Sequence, residues 1–128
     1  QYQILSPPTT AQAAALCAMT DPTVEAHVAA MRASYDLRRR YIVRTLNEMG
    51  LCCFDPMGAF YCFPDIRISG MDDHAFAERL LVEEHVAVIP GSAFGAGGAG
   101  YVRCCYATKL EDIQEAMRRL RNFMTRHG

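Results

Sequence analysis

The chain has 128 residues, 51% of them hydrophobic and 21% charged, with a net charge of −1. This is ordinary globular composition, which excludes disorder and allows one domain, or one domain with an attached piece. No basic surplus is available to neutralise phosphates, so nucleic acid is excluded as a partner, and no apolar run is long enough to span a bilayer.

The opening QYQILSPPTT reads as extended and proline-broken, followed by a short alanine-rich helix over AQAAALCAM. Asp21 before Pro22 is a helix start, with Asp as N-cap and Pro at the first helical position. From Pro22 to Met49, Val24, Val28, Met31, Tyr35, Ile42, Leu46 and Met49 recur at helical spacing, and Gly50 serves as the C-terminal cap. Such a helix is roughly 40 Å long, enough to bridge two bodies.

Leu51–Phe54 and Ala59–Phe63 are apolar runs around Asp55-Pro56-Met57-Gly58, which predicts a β-hairpin. Asp72 or Asp73 caps a helix that turns Phe76, Leu80 and Leu81 inward. Val86–Ile89 is a third strand, stopped by Pro90-Gly91, and Tyr101–Ala107 a fourth. Thr108 and Glu111 form a T-x-x-E capping box for a last helix burying Leu110, Ile113, Met117, Leu120 and Phe123 or Met124. The expected order is a long helix, then β-β-α-β-β-α. That is an α+β two-layer sandwich with a small, mostly antiparallel sheet under helices.

The six cysteines include the adjacent pairs Cys52-Cys53 and Cys104-Cys105, with no C-x-x-C and no histidine at metal-ligand spacing. They read as free, mostly buried thiols in a reducing compartment, and no metal site is expected. Gly95–Gly100 matches G-x-G-x-x-G, yet Gly100 runs into a strand rather than opening a helix, so the dinucleotide fingerprint fails. The loop reads instead as a flexible connection. His27, His74, His85 and His127 are isolated, and Arg38–Arg40 read as a solvated face.

Arg103, inside the apolar strand GYVRCCYA, is the residue that stands out. A guanidinium in such a strand needs a carboxylate. It either forms a structural ion pair, with Asp65 or Glu84 as candidates, or binds a ligand carboxylate through two parallel charge-assisted hydrogen bonds. Sequence physics leaves both open.

DPMGAFYCFPDI, FAERLLVEEHVAVIPGSAFGAGGAGYVRCCYA and the closing amphipathic helix together resemble the C-terminal part of a class I/II aminotransferase. That family has fold type I and uses pyridoxal phosphate (PLP). SPPTTAQAAALCAM resembles the stretch before its small domain, and MRASYDLRRRYIVRTLNEMGL its interdomain helix.

The resemblance implies that residues 1–21 are the tail of the large PLP-binding domain and 22–128 the small domain. It implies that Arg103 binds the substrate α-carboxylate and, more weakly, that Phe60 lies near the substrate. The parent would move an amino group between an L-amino acid and a 2-oxo acid as a cytoplasmic homodimer. The family also requires a lysine that holds PLP as a Schiff base. The single lysine, Lys109, stands in no such context against twelve arginines. No catalytic residue is therefore expected in this chain, which should be inactive alone. Two rivals are a free-standing amino-acid-binding regulatory α+β domain and a purely structural or dimerisation module.

Overall fold

The computed structural model describes residues 6–128, so the reading of QYQIL as extended lies outside the described residues. Four helices and three short strands follow in the order α-α-β-α-β-β-α: α1 (Thr9–Thr20), α2 (Thr23–Glu48), β1 (Tyr61–Cys62), α3 (Asp73–Glu84), β2 (Ile89–Pro90), β3 (Val102–Cys105) and α4 (Leu110–His127). The chain divides into two compact units, the first running to Ser34 and the second from Tyr35 to Gly128.

The first unit holds α1 and the opening turns of α2. No residue of α1 is buried, and its Leu16 and Met19 are exposed, as are Val28 and Met31 of α2. Asp21 starts α2 as its sequence predicts, its carboxylate accepting from the Thr23 backbone N–H (2.8 Å) and hydroxyl (2.7 Å).

The second unit contains the core. Ile42, Val43 and Leu46 of α2, Phe76 and Leu80 of α3, and Ile113, Met117, Leu120, Phe123 and Met124 of α4 pack over the inner face of the sheet. That face presents Cys62, Val102, Cys104 and Tyr106. Phe76 and Phe123 meet edge to face at 5.3 Å. Gly50 ends α2 at φ +81°, with its N–H on the Asn47 carbonyl and the Leu51 N–H on the Leu46 carbonyl, the paired bonds of a left-handed helix cap. Asp72 caps α3 by accepting from the Ala75 N–H at 2.8 Å.

Several expectations are corrected. The sheet has three strands in the order β1-β3-β2, all antiparallel, not four. Leu51–Phe54 forms no strand, because the Asn47 side chain takes both backbone groups of Cys53, accepting from its N–H and donating to its carbonyl, each at 3.0 Å. No hairpin therefore forms; β1 pairs with β3 instead, Tyr61 opposite Cys105 and Cys62 opposite Cys104. Val86–Val88 leaves the ladder, and β2 keeps only Ile89 and Pro90, opposite Arg103 and Val102.

The capping box does not form either. Lys109 holds the N-cap position of α4 without a side-chain bond, and the Thr108 hydroxyl donates to Asp112 rather than pairing with Glu111. Leu81 is exposed, and Ala77 takes the core position beside Leu80. Of the cysteines, Cys53, Cys62 and Cys104 are buried while Cys17, Cys52 and Cys105 are exposed, and all six are free.

Candidate functional site around Arg103

β3 is the central strand, and its pleat assigns each residue a face. Val102, Cys104 and Tyr106 are buried in the core, so the half-buried Arg103 projects from the opposite face of the sheet. Being central, the strand is held on both sides, which fixes the backbone from which the guanidinium projects.

The two carboxylates that the sequence offers as partners for Arg103, Asp65 and Glu84, are engaged elsewhere. Asp65 binds Arg67, whose Nε lies 2.9 and 3.0 Å from its two oxygens, and these bonds hold the Asp65 carboxyl below its usual range. Glu84 pairs with Arg126 of α4. Among the described residues no carboxylate pairs with Arg103, and its Nε is buried without any hydrogen-bond partner. A buried donor without an acceptor is costly, about 1–3 kcal/mol. The terminal nitrogens, which also lack a partner among the described residues, are not sealed in the same way.

What surrounds Arg103 is aromatic. Its Cζ lies 4.3 Å from the centre of the Tyr61 ring and 4.5 Å from that of Phe94. Phe94 meets Phe63 edge to face at 5.7 Å, and Tyr61 meets Phe60 at 4.7 Å, which in turn stacks on Tyr35 at 6.0 Å. Phe60 is thus not a core residue: it is 38% exposed and stands one ring removed from Arg103. Sequence reading missed Tyr61, Phe63 and Phe94. The signal was present in part, since a residue opposite Cys105 is the diagonal neighbour of Arg103 on the same face.

The glycine loop beside the site is not a slack tether. Two 3-10 turns, Gly91–Phe94 and Ala96–Gly98, fold it back on itself. The Gly91 N–H donates to the Tyr101 carbonyl at 2.8 Å, and the Tyr101 N–H to the Gly98 carbonyl at 3.1 Å. The buried Asp73 carboxylate accepts from the Ser92 N–H at 2.8 Å, and the bonds to Ser92 keep that carboxyl below its usual range. Phe94 is therefore delivered to Arg103 from a braced turn.

Other candidates fall away. A cavity of about 390 Å³, lined in part by Val86, Val88, Cys104, Ile113 and Met117, does not include Arg103. Among the described residues no group of three histidine, cysteine or acidic side chains is placed to hold a metal ion, and no helix is long and apolar enough to cross a membrane. The arginine run is less solvated than expected. Arg39 binds both Asp36 and Asp55, and Arg38 lies over the Tyr35 ring at 5.3 Å.

Comparison with known proteins gives this geometry a context. Residues 1–120 match the family model "Aminotransferase class I and II". The chain is 48% identical over 124 residues to a putative aminotransferase, YugH, of Bacillus subtilis, covering 97% of this chain and 32% of that protein. It is 47% identical over 119 residues to an aspartate aminotransferase of Pyrococcus abyssi, covering 93% of this chain and 31% of the relative. A crystal structure described as Pyrococcus protein-A1 superposes with a TM-score of 0.94 at 46% identity, over 98% of this chain and 32% of that one. The aspartate aminotransferase of Thermus thermophilus with maleate superposes at 0.84 and 38% identity, over 91% and 30%. The chain thus spans about a third of the length of the relatives it matches. With a family model covering nearly all of its length, the chain belongs to the class I and II aminotransferases.

Proposed function

We propose that this chain supplies the substrate-carboxylate anchor of a PLP-dependent aminotransferase, and that Arg103 is the anchor. The observation that carries the reading is its state: a half-buried guanidinium, rigidly mounted, with no carboxylate among the described residues and a buried Nε without an acceptor. A planar fork in that state matches a carboxylate through two parallel charge-assisted hydrogen bonds. Fixing the carboxylate sets the orientation of the adjoining α-carbon, which is where positioning lowers a barrier. Phe60, one ring away, is proposed to border the substrate side chain.

Family members use PLP, and the described residues do not compose a Schiff-base site for it. The single lysine, Lys109, is exposed at the N-cap of α4 and does not line the cavity of about 390 Å³. The rest of the chemistry belongs to a larger protein. Residues 1–21 are proposed as the tail of its large domain and 22–128 as its small domain. The whole is proposed as a cytoplasmic homodimer acting on L-amino and 2-oxo acids, while the 128 residues alone are inactive.

The test is Arg103→Lys in the full-length enzyme carrying this chain. A point charge cannot reproduce the fork, so KM should rise and kcat/KM fall by roughly a hundredfold. Unchanged kinetics would remove Arg103 from the site. Tight amino-acid binding by the 128-residue chain in calorimetry would instead favour a free-standing sensor.

A further inference from the structure

A half-buried arginine is normally oriented by a carboxylate, and Arg103 has none among the described residues. Its guanidinium nonetheless lies against two rings, at 4.3 Å from Tyr61 and 4.5 Å from Phe94. We propose that Tyr61 and Phe94 are positioning residues, an uncharged aromatic clamp that holds the Arg103 fork in place for the incoming carboxylate. The proposal rests on the reading of Arg103 as the anchor.

The chemistry explains why rings serve better here than an acid. A ring face attracts a cation through its quadrupole, with the guanidinium close to the centroid, and it leaves the N–H fork unspent. A carboxylate would orient Arg103 equally well but would occupy the donors that the substrate needs and neutralise the charge that draws it in. The clamp gives orientation without competition.

Both rings are themselves held. Tyr61 is fixed by β1 pairing with β3 and leans on Phe60, which stacks on Tyr35. Phe94 ends the 3-10 turn that Asp73 grips at Ser92, and it meets Phe63 edge to face. The half-exposed Phe94 makes little sense as a packing residue; against a cation its exposure is tolerable, because the ring has a partner.

The experiment uses the full-length enzyme carrying this chain, with propionate as a competitive probe that has a carboxylate and no amino group. Tyr61→Leu and Phe94→Leu should each weaken propionate inhibition about 2- to 30-fold, the range from an exposed to a desolvated cation–π contact. KM for the amino acid should rise in parallel while kcat at saturation changes much less. Tyr61→Phe, which restores the ring without the hydroxyl, should recover most of the affinity lost in Tyr61→Leu. Arg103→Lys serves as the reference.

If Arg103→Lys loses propionate inhibition and both leucine variants keep it, the clamp is overturned and the anchor stands. If Arg103→Lys keeps it, the anchor fails and the clamp with it. If affinity and melting temperature fall together and Tyr61→Phe rescues neither, the rings are only packing and the clamp is overturned.

Discussion

The contact between Gly91 and Gly98 makes a sharp prediction about the turn that carries Phe94. A Cβ added at Gly98 would sit 2.0 Å from the Gly91 carbonyl oxygen and 2.4 Å from its carbon, both of them backbone atoms. Real Cβ atoms essentially never approach other atoms below 3.0 Å, so Gly98→Ala must push the two turns apart by about 1 Å. That shift strains the bonds from Gly91 N–H to the Tyr101 carbonyl and from Tyr101 N–H to the Gly98 carbonyl. Overpacking costs about 1–3 kcal/mol and a weakened hydrogen bond about 1 kcal/mol, so the expected loss is roughly 2–4 kcal/mol. Gly97→Ala is the matched control, since its Cβ would meet nothing within 4 Å and it should stay within about 0.5 kcal/mol of the parent. Urea denaturation followed by circular dichroism measures both, and amide exchange at Gly91 and Tyr101 localises the damage. Equal stability of the two variants would refute the close approach and, with it, the claim that this loop is a braced support.

Leu80→Ala, at a position with no exposure between α3 and α4, should cost about 2–5 kcal/mol in the same urea experiment. Glu83 on α3 is held down to about 2 by its hydrogen bond to His127, with Arg79 and Arg126 adding to the effect. A carboxyl whose folded pKa is lowered binds fewer protons folded than unfolded. Its stabilising contribution is therefore intact above its ordinary value of 4.5 and lost as pH falls toward 2; Glu83→Gln should flatten the acid limb of the stability curve over that window. A thiol reagent should label three cysteines in the native chain, Cys17, Cys52 and Cys105, and all six only in denaturant. PLP mixed with the 128-residue chain should give no absorbance band of a lysine-bound cofactor; such a band would return Lys109 to consideration.

Sequence pattern was most informative where one residue's chemistry acts on its own neighbours. Asp21, Gly50 and Asp72 each do locally what their type and place suggest. It failed where a distant group decides the outcome. Leu51–Phe54 has the composition of a strand, yet Asn47, on the preceding helix, satisfies the Cys53 backbone and leaves the segment without need of a ladder. The Thr108 signature is one residue out of phase with the helix it should cap, a shift that local spacing cannot detect. Arg103 announced itself as a charge in an apolar strand. Its choice between ion pair and open fork depended on where Asp65 and Glu84 spend their charge, which only the tertiary structure reveals. The flanking rings come from a strand 42 residues earlier and a turn nine residues earlier, linked to Arg103 only by strand register and loop closure.

The alternation along β3 has a consequence for how the site fails. Val102 and Cys104, on either side of Arg103, are seated in the core, so the backbone that carries the fork cannot shift while they stay put. A residue mounted this way has no local opening of its own: its amide should exchange with solvent only through the cooperative unfolding of the second unit. On the reading of Arg103 as the anchor, mutations deep in the core would then reduce the fraction of molecules that hold the fork in place without altering the affinity of those that remain.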